Sequence, residues 1–310
     1  MCVLICGSMA YDTIMVFHDR FKNHILPEQV HILNVSFLVP VMRREYGGCA
    51  GNIAYNLKLL GGDPLILATV GKDFQPYSQW LAYNGLSQEG IRVLDDSFTG
   101  QAYITTDLDD NQITAFHPGA MSSSHLNEVP LERGVKIGIV SPDGKDGMVQ
   151  HARQFAAAGI PFIFDPGQGM PMFNGEELLE FVELADWVTL NDYEAKLMEE
   201  RTGLSPEQLA AKVKALIITK GGDGSLIYTD GGIVEIPSAK PKAVLDPTGC
   251  GDAYRAGLLY GLTEELDWPT TGRIASLIGA IKIETAGTQN HSFTLSEFKD
   301  RYRENFGHGF

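Results

Sequence analysis

The chain has 310 residues, 44% hydrophobic and 20% charged, enough to bury a substantial core in one large domain with room for a smaller appendage. A formal charge of −15 argues against a partner gripped by its phosphate backbone, since nucleic-acid affinity is built from clustered Lys and Arg. No segment approaches the roughly 20 apolar residues of a membrane helix, and Met1–Cys6 lacks the basic flank of a secretion signal. The expectation is a cytoplasmic protein with a small-molecule partner, no nucleic acid and no membrane, and with Cys2, Cys6, Cys49 and Cys250 reduced.

Val3–Cys6 is a short apolar run ending at Gly7 and reads as a buried first strand feeding a turn. From Thr13 to about Tyr46 the pattern is of short β-like pieces, such as Thr13–Phe17 and Val35–Val41, between polar and proline-containing turns. A second β-like patch covers Gln101–Phe116, with Asp109-Asp110-Asn111 as its hairpin turn. The two patches share a texture that predicts one small sheet.

The remainder alternates. Strands are expected at Leu65–Val70, Lys136–Val140, Phe162–Phe164, Trp187–Leu190, Ala215–Thr219 and Ser225–Tyr228. Helices are expected at Gln75–Asn84, Gly147–Ala158, Glu176–Leu184, Asp192–Arg201 and Pro206–Val213, then at Gly251–Leu262, Thr270–Glu284 and Ser296–Glu304. Strand and helix in turn predict an α/β fold with a mostly parallel sheet covered on both faces, whose ligands sit at the carboxyl ends of strands.

The most informative segment is Asp246-Pro247-Thr248-Gly249-Cys250-Gly251-Asp252. A turn of Pro, Thr and glycines runs directly into an apolar helix, so the N–H groups of Gly249, Cys250 and Gly251 are expected to face outward at a positive helix end as an anion cradle. Asp252 would repel a phosphate but suits a base that takes a proton from an attacking hydroxyl, and the helix end favours its ionised form. The plainer alternative is a capped helix after a shaped turn.

A second glycine-rich turn, Gly47-Gly48-Cys49-Ala50-Gly51-Asn52, also enters a helix. Bare backbone there admits a ligand closely, and the Asn52 amide can donate to and accept from a hydroxyl, although close helix packing explains the small residues as well. Asp12, in the loop expected after the first strand, is placed to accept from a polyol or to form a turn.

These two segments, in this order, resemble the two signatures of the ribokinase-like (PfkB) carbohydrate and nucleoside kinases. Asn191-Asp192-Tyr193-Glu194 resembles that family's N-x-x-E motif, and Thr219-Lys220-Gly221-Gly222 its nucleotide-binding turn. The resemblance covers the whole chain. It implies a ribokinase-like αβα sandwich formed by residues 1–12, 47–97 and 118–310, with a small discontinuous β lid from 13–46 plus 98–117. It further implies ATP as donor, Asp252 as base, and Gly249, Cys250 and Gly251 as the anion hole. Asn191 and Glu194 would organise Mg²⁺ through water, supplying a cation that so acidic a chain otherwise lacks. Asn191, Thr219, Gly221, Gly222 and Gly224 would line the nucleotide site, with Ser8, Asp12, Ser36, Gly48, Asn52, Phe116 and Gln168 on the acceptor side.

The chain departs from the common D-T-x-G-A-G-D signature at Pro247 and Cys250, and Arg255 stands where many members carry an apolar residue. Cys250 is expected to be inert in catalysis, although a thiol in an electropositive turn is open to modification.

Asn34-Val35-Ser36-Phe37-Leu38, Thr114–Met121 and Gly287-Thr288-Gln289 are similar to the bacterial adenosine kinase branch. That points to adenosine, with Phe116 and Phe37 stacking on the purine unless they fill the lid's own core. Many relatives take a monovalent cation on backbone carbonyls, so Asp246, Thr248 and Thr285–Asn290 are the segments expected to hold K⁺. The chain has no G-x-x-x-x-G-K-[ST], no G-x-G-x-x-G and no H-E-x-x-H, which disfavours P-loop, dinucleotide and zinc-hydrolase chemistry. A sugar kinase of ribokinase or fructokinase type, and a non-catalytic nucleoside-binding regulator, remain alternatives. Open sheet edges leave both monomer and homodimer possible.

Overall fold

The computed structural model describes residues 2–25, 34–109 and 111–310. The chain opens with β1 (Cys2–Cys6), β2 (Ala10–Val16) and β3 (Val41–Gly47), and then enters α1 (Cys49–Leu59). Next come β4 (Asp63–Gly71), α2 (Gln75–Tyr83), β5 (Ile91–Leu94), β6 (Gly100–Thr106) and β7 (Gln112–His117). The alternating part runs β8 (Ile137–Val140), α3 (Lys145–Ala158), β9 (Phe162–Phe164), α4 (Gly175–Leu184), β10 (Trp187–Asn191), α5 (Asp192–Thr202) and α6 (Pro206–Ala210). It closes with β11 (Ala215–Thr219), β12 (Ser225–Thr229), β13 (Gly232–Ile236), α7 (Cys250–Thr263), α8 (Trp268–Lys282) and α9 (Leu295–Phe306).

Among the described residues the strands form two sheets, one of nine strands in the order β13-β12-β11-β10-β9-β8-β1-β4-β5 and one of four in the order β3-β2-β6-β7. The large sheet is parallel from β5 to β11, and only the β12–β13 end is antiparallel. Its central strands are apolar on both faces, and alternation sorts their side chains into two cores. Val3, Ile5, Ile66, Ile139 and Ile217 face α1, α7 and α8, where they meet Ile53, Leu57, Leu258 and Ala275. Leu4, Leu65, Val140, Phe164 and Leu216 face the other way, onto Met148, Phe155, Phe181 and Met198 of α3, α4 and α5. The result is the expected three-layer αβα sandwich.

The small sheet is built from the two separate patches expected to share one, with β2 parallel to β6 and antiparallel to β3. Three details differ from expectation. Residues 34–40 are not a strand, and β3 starts only at Val41; Pro40 lacks the N–H that a ladder needs, Leu38 is 84% exposed, and Phe37 turns onto Phe17 and Phe21. The helix expected to reach Val213 stops at Ala210. Asp12 lies within β2 rather than in a loop. The β6–β7 hairpin turns between Thr106 and Gln112, with Asp107 N–H donating to Asn111 O at 3.0 Å, while Asp110 lies outside the described residues. Strands β5 and β13 were not anticipated; Asp230-Gly231, a strong two-residue hairpin signal, sits directly between β12 and β13. No helix among the described residues is long and apolar enough to cross a membrane.

Candidate active site

Because β1, β8, β9, β10 and β11 are parallel, their carboxyl ends share one edge of the sheet, where a cavity of ≈ 900 Å³ opens. That is at the large end of the about 300–1,000 Å³ range of small-ligand sites. Ser8, Asp143, Asp165, Asn191 and Thr219, each at or just past one of these strand ends, line it. Asp12 of β2 and Phe116 of β7 reach it from the small sheet, and Gly249, Gly251 and Asp252 from the start of α7.

Gly249 caps α7 in the left-handed region at φ 79°, with the Thr288 side chain 3.1 Å from where a Cβ would stand, so only glycine fits that turn. Of the three expected donors, the Cys250 N–H is used within the turn, donating to Pro247 O at 3.2 Å. The N–H groups of Gly249 and Gly251 have no acceptor among the described residues, and both residues line the cavity. Cys250 itself is not in the lining. Burial pushes its thiol up to about 11, which leaves it protonated and works against the modifiable thiol expected from the turn.

Asp252 Oδ2 accepts from Asn52 Nδ2 at 2.8 Å. Asn52 Oδ1 accepts from Gln289 Nε2 at 3.0 Å, and the same nitrogen donates to Tyr77 OH at 2.7 Å. Gln289 Oε1 in turn accepts from Trp80 Nε1 at 2.9 Å. The Asn52 amide, expected on the acceptor hydroxyls, lines the cavity and orients Asp252, with its second N–H and one Oδ1 lone pair still open. Burial pushes the Asp252 carboxyl up to about 6 against the Asn52 donation and the Arg255 charge, so the helix end does not dominate as expected, yet the group is still ionised at neutral pH. Gln289 was expected only within the Thr285–Asn290 carbonyl segment; its side chain bonds Asn52, 237 residues away in sequence, a link that local pattern does not reveal.

A cation that the sequence did not assign also reaches the cavity. Arg255, one helical turn past Asp252, is buried and bidentate to buried Asp165: Nε donates to Oδ2 at 3.0 Å and Nη2 to Oδ1 at 2.9 Å. Its Nη2 lies 3.9 Å from Glu194 Oε2. Burial alone would lower its pKa, but the Asp165 charge and hydrogen bonds outweigh that and raise it. A buried guanidinium thus stands in the cavity wall with its charge offset by the Asp165 carboxylate. The signal was a lone Arg inside the apolar face of a helix, three residues past Asp252.

Asn191 caps α5 and forms a capping box with Glu194: Asn191 Oδ1 accepts from Glu194 N at 2.7 Å, and Asn191 N donates to Glu194 Oε2 at 2.8 Å. Asn191 Nδ2 also donates to Oε1 at 2.8 Å. Burial and the neighbouring Asp165 push the Glu194 carboxyl up. Among the described residues no three His, Cys, Asp or Glu side chains could enclose a metal. A single carboxylate with spare lone pairs fits Mg²⁺ held through water and substrate phosphates, the ion's usual habit.

The other expected residues divide. Gly48, at φ 87°, starts α1; Ser8 Oγ accepts from Cys49 N at 3.1 Å; and Gln168 Nε2 donates to Cys49 Sγ at 3.4 Å. All three line the cavity, as do Thr219 and Gly221. Gly222 and Gly224 do not, and Gly224 serves its turn, since a Cβ at its φ of 87° would strike Ile236 O. Ser36 is exposed and away from the lining. Phe37 packs 4.8 Å from Phe17 and 5.0 Å from Phe21, inside the small sheet's own aromatic cluster, so of the two expected rings Phe116, 54% exposed, is the one free to stack on a ligand; the exposed Tyr193 ring also lines the cavity. Burial pushes Asp12 up to about 6, helped by Glu45 across the strand. Asp143, also overlooked, is buried with its carboxyl pushed up to about 8, and its Oδ2 lacks a partner among the described residues.

Residues 8–294 match the model of the pfkB family carbohydrate kinases. A nucleoside kinase of Methanocaldococcus jannaschii is 33% identical over 272 residues, covering 86% of this chain and 89% of that protein. A ribokinase of Lactococcus lactis is 32% identical over 281 residues, covering 83% and 86%. Among solved structures, the nucleoside kinase of Burkholderia thailandensis in complex with inosine superposes with a TM-score of 0.90 at 53% identity, covering 99% of each chain.

Proposed function

The chain belongs to the pfkB family of carbohydrate kinases, and on that premise we propose that it transfers the γ-phosphoryl group of ATP to the 5′-hydroxyl of a purine nucleoside, adenosine foremost, giving AMP and ADP. The observation that carries the reading is Asp252, ionised and oriented by Asn52, beside the two unpaired N–H groups of Gly249 and Gly251 in one cavity.

Asp252 takes the hydroxyl proton as the 5′ oxygen bonds to phosphorus and the bond to ADP breaks. Gly249 and Gly251 donate to the oxygens on which charge accumulates. Asn191, Thr219 and Gly221 lie on the nucleotide side, and Asn191 and Glu194 would hold Mg²⁺ through water, where it would neutralise phosphate charge. Asp12, Ser8 and Gln168 serve the ribose side, and Phe116 stacks on the base. The four-stranded sheet acts as the lid, closing the cavity to water that would otherwise capture the phosphoryl group. A cytoplasmic location fits a kinase that draws on the cell's ATP.

The similarity to a nucleoside kinase described with inosine supports a purine acceptor and puts inosine beside adenosine as a candidate. ADP formation with ATP and Mg²⁺ is the test, comparing adenosine, inosine, guanosine, ribose and fructose. The proposal expects nucleosides to exceed both sugars by at least ~10-fold in kcat/KM, about 1.4 kcal/mol. A preferred sugar would make it a sugar kinase, and no turnover with any acceptor would favour a regulator.

A further inference from the structure

Lys282, the last residue of α8, is completely buried. Its Nζ donates to two main-chain oxygens, Asp246 O at 2.7 Å and Thr285 O at 3.3 Å. These carbonyls belong to the two loops that frame the start of α7. One runs from Asp246 through Gly249 into Asp252. The other carries Thr288, against which Gly249 packs, and Gln289, which orients Asp252 through Asn52. The Asp246 carboxylate ties the same loops from its side, accepting from Gly287 N and Thr248 N, each at 2.9 Å.

These are the segments in which the sequence placed a carbonyl-bound K⁺. The residues present do not fit a dissociable ion there, because an ammonium, itself a monovalent cation, already bonds the carbonyls of both loops. An ammonium is stable without water only where dipoles or charges compensate it. The two carbonyls, the negative end of α8 and nearby Asp246 supply that compensation.

We propose that Lys282 is a tethered cation, a positioning residue that holds the 246–249 and 285–290 loops together and makes the start of α7 independent of any free monovalent ion. The turnover part of this rests on the kinase reading; the binding part does not. For the wild-type protein, melting temperature and adenosine phosphorylation are compared in chloride salts of tetramethylammonium, Na⁺ and K⁺ at constant ionic strength. Neither should change, turnover staying within about twofold. For Lys282→Met, which opens space for an ion, K⁺ or NH₄⁺ should raise the melting temperature where tetramethylammonium does not. The same ions should restore a kcat that has fallen ~10-fold or more with little change in KM for adenosine. A wild-type protein stabilised or activated several-fold by K⁺ overturns the proposal, as does a Lys282→Met protein with wild-type kcat in tetramethylammonium. Should Lys282→Met fail to fold, the wild-type comparison decides alone, and its melting arm stands even if no acceptor is phosphorylated.

Discussion

Asn52 Nδ2 donates to Asp252 Oδ2 at 2.8 Å, joining two glycine-led helix starts that lie 200 residues apart in sequence. Since that bond is one of the influences holding the Asp252 carboxyl down against burial, its loss should be read in both rate and pH dependence. Asn52→Ala is expected to lower kcat by about 10–100-fold through misorientation and to move the acid limb of the pH profile to higher pH. A kcat that falls with the limb unmoved would mean that Asn52 acts elsewhere.

The wild-type limb itself is predictable. A base works only when ionised, so kcat/KM should fall as pH drops through about 6, the value to which burial pushes Asp252. Asp12 is pushed to the same region, which makes Asp12→Asn the control: activity drops, but the limb near 6 remains.

The same shift carries a stability consequence. Unfolded, Asp252 loses its proton near its ordinary 3.8; folded, near 6. Between those values the native state binds more protons, so stability declines as pH rises through that window and stays reduced above it. Asp252→Asn removes the buried charge and should melt at or above the wild-type temperature at pH 8, with the difference shrinking toward pH 4. A clearly lower melting temperature at pH 8 would contradict the assigned direction.

Phe116 is the exposed ring that the small sheet presents to the cavity, since Phe37 is taken up by Phe17 and Phe21. Base stacking is worth about 1–3 kcal/mol, so Phe116→Ala should raise KM for adenosine by about tenfold or more and leave any turnover of ribose unchanged. Steady-state kinetics with both acceptors checks this.

Arg255 and Asp165 form a buried bidentate pair. Arg255→Met leaves the Asp165 charge uncompensated and should cost about 3–5 kcal/mol in urea unfolding. The double variant Arg255→Met with Asp165→Asn should recover much of that loss, and failure to recover would show that Arg255 matters chiefly by packing.

Much of this architecture could be read from the chain because its signals are local. Strand and helix alternate with clear periods, and the turns around Gly48 and Gly249 announce themselves by composition. What was hidden depends on distant partners. That Asn52 also orients Asp252 shows only once Gln289 and Asp252 are seen on either side of it. Arg255 looks like a departure from pattern until Asp165, 90 residues away, meets it. Lys282 is one more basic residue near a helix end until Asp246 O and Thr285 O close around it. Phe37 was misplaced because sequence shows that a ring exists and not which way it turns.

The most direct test of the central claim is AMP formation from adenosine and ATP by the wild-type protein and by Asp252→Asn, with adenosine binding followed by calorimetry in both. AMP is expected from the wild type, with adenosine binding retained in the variant and turnover lower by at least ~10²-fold. Wild-type turnover in Asp252→Asn would contradict it.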